Sequence, residues 1–135
     1  MDAIRGDVPD SEKVKYLASC QCGQVRCTIK IRPLDRQKVI KDNCSICIRN
    51  AYLFAYALRT DVVWEKGYET LKTFQFNTKT KDHKFCPECG SSMMIDLNGE
   101  LPRDLVGINV SVHFSRLEGG PDIFHVGQDV REYRD

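Results

Sequence analysis

The chain has no long hydrophobic run. No segment approaches the roughly 20 apolar residues that a membrane-spanning helix requires. It also has almost no net charge: 20 Lys and Arg against 19 Asp and Glu leave a formal +1. A global field that would draw in nucleic acid or an anionic membrane is thereby excluded. The opening residues, MDAIRGDVPDSEK, lack the apolar core of a secretory signal, so a reducing, cytoplasmic setting is expected. Extended amphipathic helix periodicity, internal repeats and low-complexity tracts are missing too. Cysteine, by contrast, is abundant, with seven in 135 residues. In a secreted chain of this size that content would suggest disulfides. In a reducing compartment, closely spaced cysteines read as metal ligands, and the odd count leaves one thiol over in any fully paired disulfide scheme.

The length fits one domain. The polar, charged residues 1–15 are expected to form an N-terminal arm or an edge strand. Beyond them the hydrophobic pattern is that of short strands. Val25, Cys27, Ile29 and Ile31 alternate with Arg26, Thr28 and Lys30, the period of a half-buried strand, and Pro33 closes it. Residues 52–58, YLFAYAL, have the bulk of a buried strand. Val62, Val63 and Trp64 suggest another, closed by Gly67. In residues 70–76, Leu71, Phe74 and Phe76 are the bulky apolar positions of a further strand. Met93, Met94, Ile95 and Leu97 lead to Asn98-Gly99, a turn dipeptide, and residues 105–114 form one more strand-like run. The reading is a mainly β domain of short antiparallel strands with metal knuckles in its loops.

Three cysteine pairs supply the knuckles: Cys20-x-Cys22, Cys44-x-x-Cys47 and Cys86-x-x-Cys89. Thiolates two or three positions apart can hold one tetrahedral zinc from a tight turn. Pro87 stiffens the third turn, and Gly90 lets the chain reverse while amides approach the sulfurs. Which pairs share a metal is open on spacing. The 21 residues between Cys22 and Cys44 are near the usual gap of roughly 15–20 and favour joining the first two pairs. The 63 residues between Cys22 and Cys86 remain possible if a β domain is threaded between the halves of a site.

Ala18-Ser19-Cys20-Gln21-Cys22-Gly23-Gln24-Val25, Asn43-Cys44-Ser45-Ile46-Cys47 and Lys84-Phe85-Cys86-Pro87-Glu88-Cys89-Gly90-Ser91 together resemble the three signatures of the glutathione-dependent formaldehyde-activating enzyme family, which includes the centromere protein V domain. Phe74-Gln75-Phe76-Asn77 is similar to its Phe-x-Phe-Gly segment, with Asn77 in place of glycine, and His125 is similar to a position in its terminal strand. The resemblance implies an Mss4-like fold over residues 16–135 and two zinc sites. One is structural, with Cys20, Cys22, Cys86 and Cys89 as its ligands. The other is catalytic and uses C-x-C-x-x-C. Here Cys44 and Cys47 match that pattern and Asp42 replaces the first cysteine.

Carboxylate is a legitimate zinc ligand, so three readings compete. Asp42, Cys44 and Cys47 hold the catalytic zinc; or zinc binds there only with a substrate thiol; or the site is empty and the activity lost. The implied function is a zinc-dependent carbon–sulfur lyase, or a synthase in reverse, acting on a glutathione or related small-thiol adduct, with glutathione as co-substrate. The alternatives are a non-catalytic zinc-stabilised binding module, and a scaffold redirected to glutathione-independent hydrolysis, dehydration or cyclisation. Arg49 and Asn50 are the nearest polar candidates for binding an anionic substrate, and Tyr52 is placed to line a pocket. Cys27 reads as a small buried apolar residue. His83 reads as a surface strand residue or a partner to a sulfur. His113 reads as packing or surface, Lys79, Lys81 and Lys84 as one solvated strand face, and Ser45 as a cap on the second knuckle. The expected partner is a small-molecule substrate rather than nucleic acid or membrane, and a homo-oligomer is compatible with the chain.

Overall fold

The computed structural model describes residues 9–34, 36–37, 39–42, 45–50, 52–75, 81–99, 104–117 and 130–133; for Asp42, Cys47, Ile48, His113 and residues 130–133 it describes the backbone alone. In chain order the strands are β1 (Val14–Ser19), β2 (Arg26–Ile31), β3 (Val39–Asp42), β4 (Phe54–Leu58), β5 (Val62–Lys66), β6 (Lys72–Gln75), β7 (Asp82–Phe85), β8 (Ser92–Asp96), β9 (Leu105–Asn109), β10 (His113–Arg116) and β11 (Val130–Tyr133). One short helix, α1 (Ser45–Arg49), follows β3. The strands form two sheets, ordered β10-β1-β2-β5 and β11-β3-β4-β9-β8-β7-β6. Among the described residues all pairings are antiparallel except that of β11 with β3. The fold is mainly β, as the alternating pattern predicts.

The main core lies between the sheets. The inward positions of β2, Cys27 and Ile29, are fully buried with Val25 just before the strand, and Ile31 is 3% exposed. Cys27, Ile29 and Ile31 meet Ala55 and Ala57 of β4, Met94 of β8, and Val106 and Ile108 of β9. On the opposite face of the larger sheet Phe54, Ile95, Leu97 and Leu105 pack with Tyr52, and Ile46 of α1 lies against them. Gly107 sits within this second layer. A Cβ there would come within 2.8 Å of Ile95 Cγ2 and 3.0 Å of Tyr56 Cε1, so the missing side chain gives room to the aromatic residues on β4.

Three differences from the sequence pattern have local causes. The run 105–114 is two strands in different sheets. Asn109 Oδ1 accepts the Ser111 N–H at 3.2 Å and the Ser111 hydroxyl at 2.7 Å, an Asx turn that lifts the chain from one sheet to the other. The strand at 70–76 is shorter. β6 is the outermost strand of its sheet, which leaves Phe74 52% exposed; Phe76 and Asn77 lie outside the described residues. The third difference is at the N-terminus. β1 starts at Val14, inside the segment assigned to the arm, and lies between two partners rather than at an edge. Lys13 anchors its start, donating to Asp61 at 2.7 Å and Asp10 at 3.1 Å.

An ion-pair cluster closes the far end of the larger sheet. Arg59 donates to both oxygens of Asp96, at 2.9 and 2.6 Å, and to both of Asp104, at 2.9 and 3.1 Å. Burial would raise the Asp96 carboxyl, but the Arg59 guanidinium, the Asn98 amide and the Lys84 charge together hold the group below the usual carboxylate range. A depressed carboxyl stabilises the fold above its unfolded value of about 3.9 and loses that contribution as the pH falls through the folded value. Arg59→Leu strands a carboxylate in a residue only 5% exposed. The expected cost is roughly 2 kcal/mol at neutral pH, below the 3–5 kcal/mol of a fully buried pair because water reaches the guanidinium. Urea unfolding of both proteins should show that gap at pH 7 and a narrowing gap below about pH 4, where the carboxylate protonates.

Candidate metal centre

Two tight turns bring four cysteines together. The first joins β1 to β2. Cys20 N–H donates to the Val25 carbonyl at 3.1 Å, Gly23 N–H to the Cys20 carbonyl at 3.1 Å, and Val25 N–H to Cys20 Sγ at 3.3 Å. The second joins β7 to β8 in the same manner. Cys86 N–H donates to the Ser91 carbonyl at 2.9 Å and Gly90 N–H to the Cys86 carbonyl at 2.8 Å. Gly23 and Gly90, each directly after the second cysteine of its pair, have φ of 81° and 77°. Space around either glycine is open, so the left-handed backbone is what selects glycine at both positions.

The sulfurs of Cys20, Cys22, Cys86 and Cys89 all lie within 4.8 Å of one another. Cys20 to Cys22 is 3.6 Å and Cys22 to Cys86 is 3.8 Å. A zinc tetrahedron with Zn–S bonds of about 2.3 Å has sulfur–sulfur edges of roughly 3.8 Å. The donor set and spacing fit a zinc ion. Charge gives the same answer, since four adjacent thiols cannot all ionise without a cation between them. The Gln24 amide favours the Cys22 thiolate, but the loss of water and the neighbouring sulfurs push that thiol up to about 12. Burial opposes ionisation of Cys89 as well, but the Ser91 hydroxyl and amide and the Cys22 amide pull it down to about 5. Ser91 Oγ lies 3.2 Å from Cys89 Sγ and accepts the Gln21 N–H at 3.1 Å, tying one turn to the other. Buried Val25 and Met93 pack against the cluster, with Trp64, Leu71 and Val112 around them. Cys27, fully buried, lies in the main core instead.

The spacing preference for joining the first pair to the second is therefore corrected. The first and third pairs meet because β1–β2 and β7–β8 belong to facing sheets, so the 63 residues between them are most of the β domain rather than a finger loop. Of the second segment, Asp42 is the last residue of β3 and Cys47 lies in the middle of α1. Cys44 lies outside the described residues, as do Lys79 and His125. Arg49, at the end of α1, is exposed and donates to the Ser45 carbonyl at 3.0 Å. Asn50 Nδ2 donates to the Tyr52 hydroxyl at 2.9 Å. Tyr52 is buried, so it supports the site from within rather than lining it.

Between the second turn and the end of α1 opens a cavity of about 380 Å³, lined by Gln21, Asn50, Ser91, Ser92, Asn109 and Ser111 among others. Of these, the sequence offers Asn50 as a binding candidate and Gln21 and Ser91 as neighbours of the cysteines in their signatures. The serines and Asn109 come from separate turns and strands, and no spacing joins them. His83 also differs from expectation. It is 4% exposed, and its Nδ1 lies 3.2 Å from the Tyr52 hydroxyl. Lys84, by contrast, lies on the outer surface over the Tyr68 ring.

A family model for glutathione-dependent formaldehyde-activating enzyme matches residues 15–123. The chain belongs to this family. Among solved structures it is similar to a Rhodobacter sphaeroides protein determined by crystallography, with 29% identity over 77% of this chain and 89% of that one, and a TM-score of 0.62. The family match spans all three cysteine pairs and Asp42, so the carboxylate stands inside the family's domain. Among the described residues no helix is long and apolar enough to cross a membrane.

Proposed function

We propose that this family member makes and breaks a carbon–sulfur bond in the adduct of a small thiol, glutathione foremost, with an aldehyde. Its four-cysteine cluster would hold a structural zinc, and Asp42, Cys44 and Cys47 a second, catalytic one. The observation that carries this reading is the cavity at the end of α1, the helix that bears Cys47, in a chain of the formaldehyde-activating family. A zinc held by one carboxylate and two thiolates would supply Lewis acidity and favour a bound thiol as its thiolate. The sulfur electron pair forms the bond to the aldehyde carbon, the C=O pair moves to oxygen, and that oxygen takes up a proton while the thiol has released one. The lyase direction reverses each movement. Asn50 uses Nδ2 on Tyr52, which leaves its Oδ1 to accept an amide N–H of the thiol's peptide portion. Arg49, the exposed residue just before it, would offer its remaining donors to a substrate carboxylate.

The test is direct. Purified protein is added to glutathione and formaldehyde at equilibrium, and exchange between free and adduct carbon is followed by NMR. Acceleration that Cys47→Ser removes while the chain stays folded supports the proposal. No acceleration with glutathione or with other small thiols overturns it in favour of a binding module.

A further inference from the structure

A chain of hydrogen bonds runs from the cavity wall into the interior and is not explained by the cysteine cluster. Asn50 lies in the wall. Its Nδ2 can only donate, so the Tyr52 oxygen accepts, at 2.9 Å. The Tyr52 hydroxyl lies 3.2 Å from His83 Nδ1 and donates to it when the His83 proton is on Nε2. Tyr52 and His83 are 2% and 4% exposed. Their rings stack with centroids 5.7 Å apart and 13° between planes, and Tyr52 also leans on Phe54 at 4.5 Å. His83 is fixed by the sheet, its backbone paired with Phe74 on one side and Ile95 on the other. Burial first, then the charge of Lys81, holds its imidazole below the ordinary value against the pull of Asp82, which suits a neutral acceptor.

The Asn50 N–H closes α1 on the Ile46 carbonyl at 3.0 Å, and among the described residues the Asn50 side-chain bond to Tyr52 ties that end of the helix to the segment leading into β4. Ile46 secures the apolar side. A five-residue helix has too few internal bonds to hold itself. We propose that Tyr52 and His83 are positioning residues: the His83–Tyr52–Asn50 chain pins the C-terminal end of α1 and sets Asn50 in the cavity wall for substrate. Its consequence for turnover rests on the carbon–sulfur reading above; the pinning itself does not.

Two measurements separate the two levels. Amide hydrogen exchange is compared between the wild type and Tyr52→Phe, which keeps the ring and removes only the hydroxyl. Exchange at Asn50 and along α1 should rise by roughly 10-fold or more while β1 and β2 are unchanged, since a lost hydrogen bond of about 1.4 kcal/mol is a factor of 10. Exchange that is unchanged in α1, or that rises equally everywhere, overturns the proposal. In turnover, KM for the thiol should rise by roughly 10-fold, within the range seen when an outer partner of a site is removed. Asn50→Ala should have the same effect, and the double variant should be no worse than either single one. His83→Gln, whose amide oxygen still accepts the Tyr52 hydroxyl, should recover most of what His83→Leu loses. Additive effects, or a loss of thermal stability with KM unchanged, overturn the positioning role in substrate binding. If the wild type turns over no adduct while α1 still loosens in Tyr52→Phe, the carbon–sulfur reading fails and the pinning stands.

Discussion

Cys86→Ser should leave a chain that does not reach the native fold at 37 °C. A structural zinc bound by four thiolates contributes about 10–16 kcal/mol, as much as the whole stability of about 5–15 kcal/mol of an ordinary domain. Cys86 is fully buried, and its turn is one of two that fasten facing sheets. Serine keeps the shape but not the bond to the metal. Chelation of the wild type should do the same, reversibly, with far-UV dichroism and zinc content falling together and recovering when zinc is returned. Cys27→Ser is the control. Cys27 is equally buried but sits in the main core, so a hydroxyl there costs about 1–3 kcal/mol and the chain still folds. If Cys86→Ser melts within a few degrees of Cys27→Ser, the four cysteines do not form a structural metal site.

Cys47→Ser should give the opposite result: a folded, zinc-containing chain without turnover. Cys47 is in α1, outside the cluster that ties β1–β2 to β7–β8, and α1 rests on the sheet through Ile46 rather than through the cluster. Its loss should leave the thermal transition nearly in place. Turnover of the thiol adduct should fall by at least roughly 100-fold, the upper end of what removing even an outer partner of a metal site costs. Retained turnover would remove Cys47 from the proposed catalytic set. Loss of both fold and turnover would mean that one metal system serves both purposes.

The two expected results divide along a line that the sequence shows only in part. The strands were legible because alternation was clean where one face met the core, as at Val25, Cys27, Ile29 and Ile31. It misled at 105–114, where apolar residues continue through a turn that Asn109 makes with its own side chain, and such a turn leaves no mark on periodicity. It misled at Phe74, because an edge strand carries the same residue types as a covered one. The knuckles were legible because cysteine spacing and the glycine after each pair are local requirements. Their pairing was not local. It depends on two hairpins from different sheets facing each other, and the family signatures carried that information where the spacing pointed elsewhere. The cavity was the least legible part. Gln21, Ser91, Ser92 and Asn109 are ordinary residues brought together only by the fold, and His83 lies in a stretch with surface-like neighbours, Lys81, Asp82 and Lys84. Its burial comes from the position of β7 beneath Tyr52, which no pattern within residues 81–86 encodes.

The most direct measurement is the zinc content of the wild type and of Asp42→Ala, read by mass spectrometry under native conditions. A structural clasp and a separate Asp42-ligated centre predict about two ions per chain in the wild type and about one in the variant, with the fold intact in both. One ion in each protein would contradict the second centre and leave the chain a clasped β domain without the proposed metal chemistry.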